Sequence, residues 1–266
     1  MTSDAVMRQG AAILSQAGIS DGLREAGILW RATPDEDQTA FMAKINARAA
    51  RRPLSHVLGY RDFYNHRFIV NGDVLDPRPD TETLVDAALR VPFTRVLDLG
   101  TGSGCILLSL LAEMPNATGV GTDISDDALT VAARNAGALG LDGRALLKRS
   151  DWFADVTGTF DLIVSNPPYI AADEMAGLQP EVRLFEPRGA LTDEHDGQNA
   201  YRIITRQAGS FLAAGGRVLV EIGPTQAASV MQMMIDAGLI AVAVFADLNG
   251  RDRVVIGQKP LNLPQS

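Results

Sequence analysis

The chain has 266 residues, 46% hydrophobic and 21% charged, with a formal net charge of -8. No apolar run reaches the roughly 20 residues that span a bilayer, which excludes a membrane-spanning helical protein, and a single cysteine, Cys105, with three scattered histidines, His56, His66 and His195, excludes an intrachain disulfide and a clustered metal centre. The acidic balance disfavours stable nucleic-acid binding, which leans on Lys and Arg to neutralise phosphates, and a start without a basic or continuous apolar leader makes the cytoplasm the expected location.

Residues 1–58 are predicted to be helical: strand-like alternation is missing, and Phe41, Ile45 and Ala49 recur at helical spacing. The third helix is expected to open on Thr33 as its N-cap, with Pro34 in the first helical position, Glu36 completing a capping box and Asp35 and Asp37 adding negative charge to the first turn. Arg48, Arg51 and Arg52 fall at its end, a basic group that could touch a substrate or RNA, although the helix dipole accounts for it without a partner. Residues 59–81 are predicted to be a β-hairpin linker, with 67–70 and 73–75 flanking an Asn71-Gly72 turn, before Pro77 and Pro79 forbid helix.

From residue 82 onward short apolar runs alternate with helical patterns. Helix is expected at 83–90, 105–114, 125–139, 201–212 and 225–237, and strand at 95–99, 118–122, 160–165 and 217–221. A closing antiparallel hairpin is expected from 241–248 and 253–258. This rhythm predicts an α/β domain, a parallel sheet with helices on both faces.

Two segments carry chemistry. The first, Val96 through Gly104, runs a strand into Gly100-Thr101-Gly102-Ser103-Gly104 and then a helix, the place where open α/β sheets bind nucleotides. Alone it suits NAD, FAD or S-adenosylmethionine. The Gly-x-Gly-x-Gly spacing departs from the pyrophosphate fingerprint, and Asp98 just before the loop repels a pyrophosphate but attracts the ammonium and sulfonium of S-adenosylmethionine. Asp123, roughly 20 residues past the first glycine, is placed to accept from ribose hydroxyls, although strand-end aspartates also cap turns. Cys105, at the start of the following helix, is assigned to packing.

The second is Asn166-Pro167-Pro168-Tyr169, delivered by the buried-strand pattern Asp161 to Ser165 to the same sheet edge. Each proline removes an N–H and keeps the preceding residue extended, so this backbone is rich in acceptors. The Asn166 side-chain oxygen and the Pro167 carbonyl can each take one hydrogen of an NH2 group. Tyr169 can stack on a planar amide or base and tolerate developing positive charge. Catalytic roles are therefore expected for Asn166, Pro167 and Tyr169, and substrate contact for all four residues. Amides and nucleobase amines both satisfy this chemistry.

Together these residues resemble the family of peptide chain release factor N5-glutamine methyltransferases, along essentially the whole chain. The resemblance rests on the order of Pro53 to Gly59, Phe63 to Val70, Leu75 to Glu82, Val96 to Gly104, Asp123 to Ser125, Asp151 to Phe153, Ser165 to Ile170, Glu186 to Gly197, Glu221 to Gly223 and Asp247 to Val255. It implies a seven-stranded Rossmann-like class I methyltransferase domain over 82–266, behind a small all-α domain, 1–58, that grips the release factor. A monomer is expected, with no metal. The cofactor would be S-adenosylmethionine, held by Asp98, Gly100 to Gly104, Asp123, Asp151, Trp152 and Asn166, and the substrate the glutamine of a Gly-Gly-Gln loop. The sequence departs from the family at Asp76, Asp80, Asn65-His66 and Asp193-Glu194, the last in place of a glycine pair.

Overall fold

The computed structural model describes residues 3–261, apart from the Glu36 side chain. Four helices come first: α1 (Ser3–Gln16), α2 (Gly22–Arg31), α3 (Gln38–Ala49) and α4 (Leu54–Leu58). They close around their own apolar cluster, with Val6, Leu14, Leu29, Phe41 and Ile45 buried. The start of α3 differs from the prediction. Pro34–Glu36 forms a separate 3-10 turn, and the cap is Asp37, which accepts from the Thr39 and Ala40 amides at 2.8 and 3.1 Å. Thr33 instead donates its hydroxyl to the Leu29 carbonyl at 2.7 Å, tying its side chain to α2. The Glu36 half of the capping box lies outside the described residues.

A two-stranded hairpin follows, β1 (Tyr60–Phe63) with β2 (His66–Ile69). Its reversal is Tyr64-Asn65, with φ of 44° and 65°, the left-handed pair that suits the strand twist. The predicted Asn71-Gly72 hairpin is therefore corrected. The outer edge of β2 is already satisfied: Asn135 accepts from the Ile69 amide at 2.7 Å and donates to its carbonyl at 3.0 Å. With that edge taken, the residues after Asn71 have no strand to pair with.

Past the 3-10 turn Pro79–Thr81 come α5 (Glu82–Leu89), β3 (Arg95–Leu99), α6 (Cys105–Glu113), β4 (Thr118–Asp123), α7 (Asp126–Ala138), β5 (Ala145–Arg149) and β6 (Phe160–Ser165). Then follow α8 (Pro180–Phe185), α9 (Asn199–Phe211), β7 (Leu212–Glu221), α10 (Ala227–Asp236), β8 (Ile240–Ala246) and β9 (Asp252–Gln258). Among the described residues one seven-stranded sheet forms, in the order β5-β4-β3-β6-β7-β9-β8, parallel except where β9 pairs with β7 and β8. Alternate residues feed opposite faces. Val96, Leu162 and Leu219 join α5 and α6 in one core, while Leu97, Ile163 and Val218 join α9 and α10 in the other. Strand β5 was not predicted because, as an edge strand with Lys148 and Arg149 exposed, its apolar run is only Ala145-Leu146-Leu147.

The chain leaves β3 in one direction across the sheet, to β4, and returns to β6 on the other side. The crevice at the carboxyl ends of β3 and β6 is thus the topological switch point, where sheets of this kind take ligands. Among the described residues no helix is long and apolar enough to cross a membrane.

Candidate active site

Both predicted loops reach this crevice. Leu99 and Ser165, the last residues of β3 and β6, are register partners, and the Ser165 hydroxyl donates to the Leu99 carbonyl at 2.7 Å. This bond fixes the root of the glycine loop against the root of Asn166–Tyr169.

In the glycine loop, Gly100, Gly102 and Gly104 have φ of 69°, 54° and 80°, which L side chains rarely adopt. A Cβ at Gly100 or Gly102 would point into open space, leaving backbone bare for a ligand, whereas one at Gly104 would press on Leu108 at 3.0 Å. Asp98 lies beneath the turn, fully buried; its Oδ2 accepts from the Thr101 hydroxyl at 2.7 Å and, among the described residues, its Oδ1 has no hydrogen-bond partner. Burial, above all, pushes its carboxyl up to about 7, and Asp123 adds to the push. An orphaned buried acceptor next to a loop of exposed backbone fits a cationic ligand.

Asp123 accepts from the Gly102 amide at 2.9 Å and the Ser125 amide at 3.0 Å, so it does cap the turn. Each oxygen keeps a second lone pair for a ribose hydroxyl. Beside it at the end of β5 stand Asp151, exposed, and Trp152, half-buried against the second core with φ of 51°. Cys105 is buried, and that burial pushes its thiol up to about 12, in keeping with packing rather than nucleophilic chemistry.

Asn166 points its amide nitrogen at the Thr81 hydroxyl, 3.2 Å away, leaving its oxygen unengaged by that contact. The Tyr169 carbonyl is gripped from across the sheet. Gln226 Nε2 donates to it at 3.0 Å and to the Gly197 carbonyl at 3.2 Å, while Gln226 Oε1 accepts from the Gly223 amide and the Tyr201 hydroxyl. Gly197, at φ 69°, passes so close that a Cβ there would sit 2.2 Å from the Tyr169 oxygen. The loop before it is shaped by Asp193, which accepts from the amides of His195, Gly197 and Asn199. Glu194 has φ of 62°, the strained conformation that the family's glycine pair would adopt freely. Burial pushes the Tyr169 phenol up to about 12, so it stays neutral at neutral pH and supplies no base.

The sequence reading missed Thr81, Gln226 and the Gly197 contact as parts of this site. Thr81 and Gly197 lie within the motifs named above and Gln226 within a predicted helix, but nothing in their spacing says that they meet at Asn166–Tyr169. Arg48 and Arg51 also differ from prediction. They bind Glu181 of α8 at 3.0 and 2.8 Å, and Arg48 binds Glu25 at 2.6 Å, in a largely buried network joining α2 and α3 to the segment between β6 and α9. The role of these arginines is thus contact, beyond any dipole effect.

Residues 72–182 match the methyltransferase small domain family. The chain is 51% identical over 257 residues to the release factor glutamine methyltransferase of Cereibacter sphaeroides, covering 97% of this chain and 92% of that one. It is 41% identical over 266 residues to the enzyme of the same name from Agrobacterium fabrum, covering 91% and 92%. In fold it resembles a methyltransferase from Pyrococcus furiosus, with a TM-score of 0.56 at 18% identity over 83% of this chain and 98% of that one. Sheet order, loop placement and full-length identity agree, and the chain belongs to the release factor glutamine methyltransferase family.

Proposed function

We propose that this protein transfers the methyl group of S-adenosylmethionine to the side-chain amide nitrogen, N5, of the glutamine in the Gly-Gly-Gln loop of peptide chain release factors. It would act as a cytoplasmic monomer that neither inserts in membranes nor binds nucleic acid stably. The observation that carries this reading is the acceptor-rich Asn166–Tyr169 loop, seated against the glycine loop through the Ser165 to Leu99 bond.

S-adenosylmethionine supplies an electrophilic methyl on a sulfonium. Gly100, Thr101, Gly102, Ser103 and Gly104 would surround its methionine part above the buried Asp98. Asp123 would take the ribose and Asp151 and Trp152 the adenine, with Asn166 at the boundary between cofactor and substrate. A glutamine amide nitrogen is a poor nucleophile because its lone pair is delocalised into the carbonyl. Asn166 Oδ1 and the Pro167 carbonyl each accept one N–H, turning the lone pair towards the methyl and stabilising positive charge as it develops. Tyr169 and Pro168 form the wall against which the planar amide lies. Proton loss follows methyl transfer, when the nitrogen has become acidic, so the site needs no strong base. The helical unit, 1–58, braced on α8 through Arg48 and Arg51, would hold the body of the release factor, with 59–81 as the linker.

The test offers labelled S-adenosylmethionine to the purified protein with a release factor, the same factor with its loop glutamine replaced, and DNA or RNA. Label is expected on the intact factor alone. Label confined to nucleic acid would overturn the reading.

A further inference from the structure

An asparagine side chain presents an acceptor at one end and a donor at the other, and rotation by half a turn exchanges them. The chemistry proposed for Asn166 works in one orientation only, with the oxygen towards the substrate. Something must decide between the two.

Asn166 Nδ2 lies 3.2 Å from Thr81 Oγ1. Thr81 closes the 3-10 turn Pro79–Thr81, far from β6 in sequence, and is 2% exposed. A hydroxyl has a single hydrogen, so if that hydrogen is committed elsewhere the oxygen can only accept. The group placed to take it is the carboxyl of Glu221, the last residue of β7, which is 1% exposed, whose Oε2 has no partner among the described residues and whose proton affinity the Thr81 hydroxyl lowers. Register brings this about. Ser165, just before Asn166, pairs with Val220, just before Glu221, so Asn166 and Glu221 stand at adjacent strand ends, and Thr81, bonded to the first, acts on the second.

We propose that Thr81 and Glu221 form a positioning relay for Asn166, in which the Glu221 carboxylate draws the Thr81 hydrogen to itself and leaves Thr81 Oγ1 able to accept only the Asn166 NH2, locking Asn166 Oδ1 towards the substrate amide. Neither residue touches the reacting atoms; both act through Asn166. The kinetic consequences rest on the glutamine-methylation reading, whereas the orientation of Asn166 does not.

The relay is sensitive to pH. Glu221 is faced by Arg253 from β9, Asp80 and Arg78 from the segment before α5, Tyr169 from the Asn166–Tyr169 loop, Tyr201 from α9 and Cys105 from α6. Burial pushes its carboxyl up to about 7, against the pull of Thr81 and Arg253. Above that pH the carboxylate takes the Thr81 hydrogen. Below it the carboxyl carries its own proton and can donate to Thr81, freeing the hydroxyl to turn on Asn166 and unlock its orientation.

The experiment uses the full chain with 15N-labelled asparagine, the Asn166 side-chain signal being assigned by its loss in Asn166→Ala. In the unaltered protein the Asn166 NH2 is expected to exchange slowly and to follow one transition near pH 7. Thr81→Val and Glu221→Gln should each abolish the transition and speed exchange by about tenfold, and Thr81→Ser should restore both. In the methylation assay Thr81→Val should lower kcat by about 10- to 100-fold, with KM for the release factor and affinity for S-adenosylmethionine within about twofold. If Thr81→Val does not fold, Glu221→Gln and Thr81→Ser carry the same comparison. An Asn166 signal indifferent to Thr81→Val or Glu221→Gln, or an undiminished kcat in Thr81→Val, overturns the relay. An unaltered protein that methylates no release factor overturns the function reading, while the NMR comparison still decides the relay.

Discussion

The glycine loop is held by its near surroundings, through Thr101 to Asp98, Gly104 to Thr101, and Gly102 to Asp123 on the neighbouring strand. The Asn166–Tyr169 loop is held by Thr81, Gly197 and Gln226, contributed by three separate stretches of chain. One loop carries its instructions in its own residues, since only glycine adopts its dihedrals without strain. The other carries only its chemistry, and its shape comes from residues that the fold brings to it. Damage near the first should therefore weaken the cofactor, and damage far from the second should weaken turnover.

Among residues that shape the second loop from outside it, the largest effect is expected at Gly197. Replacing it with Ala puts a Cβ 2.2 Å from the Tyr169 carbonyl oxygen at a left-handed φ, so the backbone must move. A shift of about 1 Å in a positioning group can cost about 100-fold in rate. Gly197→Ala is expected to lose turnover on that scale, with S-adenosylmethionine affinity, measured by calorimetry, within about threefold. Equal loss of both would break the contrast.

A smaller effect belongs to the glycine loop. Asp98 must be ionised to attract a cation, and its carboxyl is pushed from 3.8 up to about 7. Affinity for S-adenosylmethionine should rise by up to about tenfold per unit of pH below that value and level off above it, a dependence that Asp98→Asn should flatten. The ligand-free protein should show the opposite trend. Its folded state holds the Asp98 proton more tightly than the unfolded chain does, so this contribution to stability is present below 3.8 and fades as pH rises to about 7. Calorimetric titrations across this range check the binding; a pH-independent affinity would remove Asp98 from the cofactor's field.

The same contrast explains what was legible in the sequence. The sheet was legible because β3, β6 and the core of β7 are buried on both faces and are dominated by apolar residues, broken in β3 only by Asp98. The acids and glycines of the first loop were legible because local geometry demands them. The hairpin turn was misplaced because Asn71-Gly72 satisfies the turn chemistry while Asn135, a helix residue far along the chain, decides which strand edges remain free. The α3 cap was misplaced because Thr33 had a competing acceptor in the Leu29 carbonyl. Thr81 and Gln226 stayed hidden for a related reason: a lone polar side chain announces no partner until the topology supplies one.

The most direct test of the Asn166–Tyr169 loop is Asn166→Ala, measured for S-adenosylmethionine affinity and for single-turnover methylation of a release factor. Loss of one preorganised acceptor is expected to slow methyl transfer by about 100- to 1,000-fold while affinity stays within about twofold. Parallel loss of affinity and rate would show that Asn166 chiefly holds the cofactor, contradicting its role as the acceptor that orients the glutamine amide.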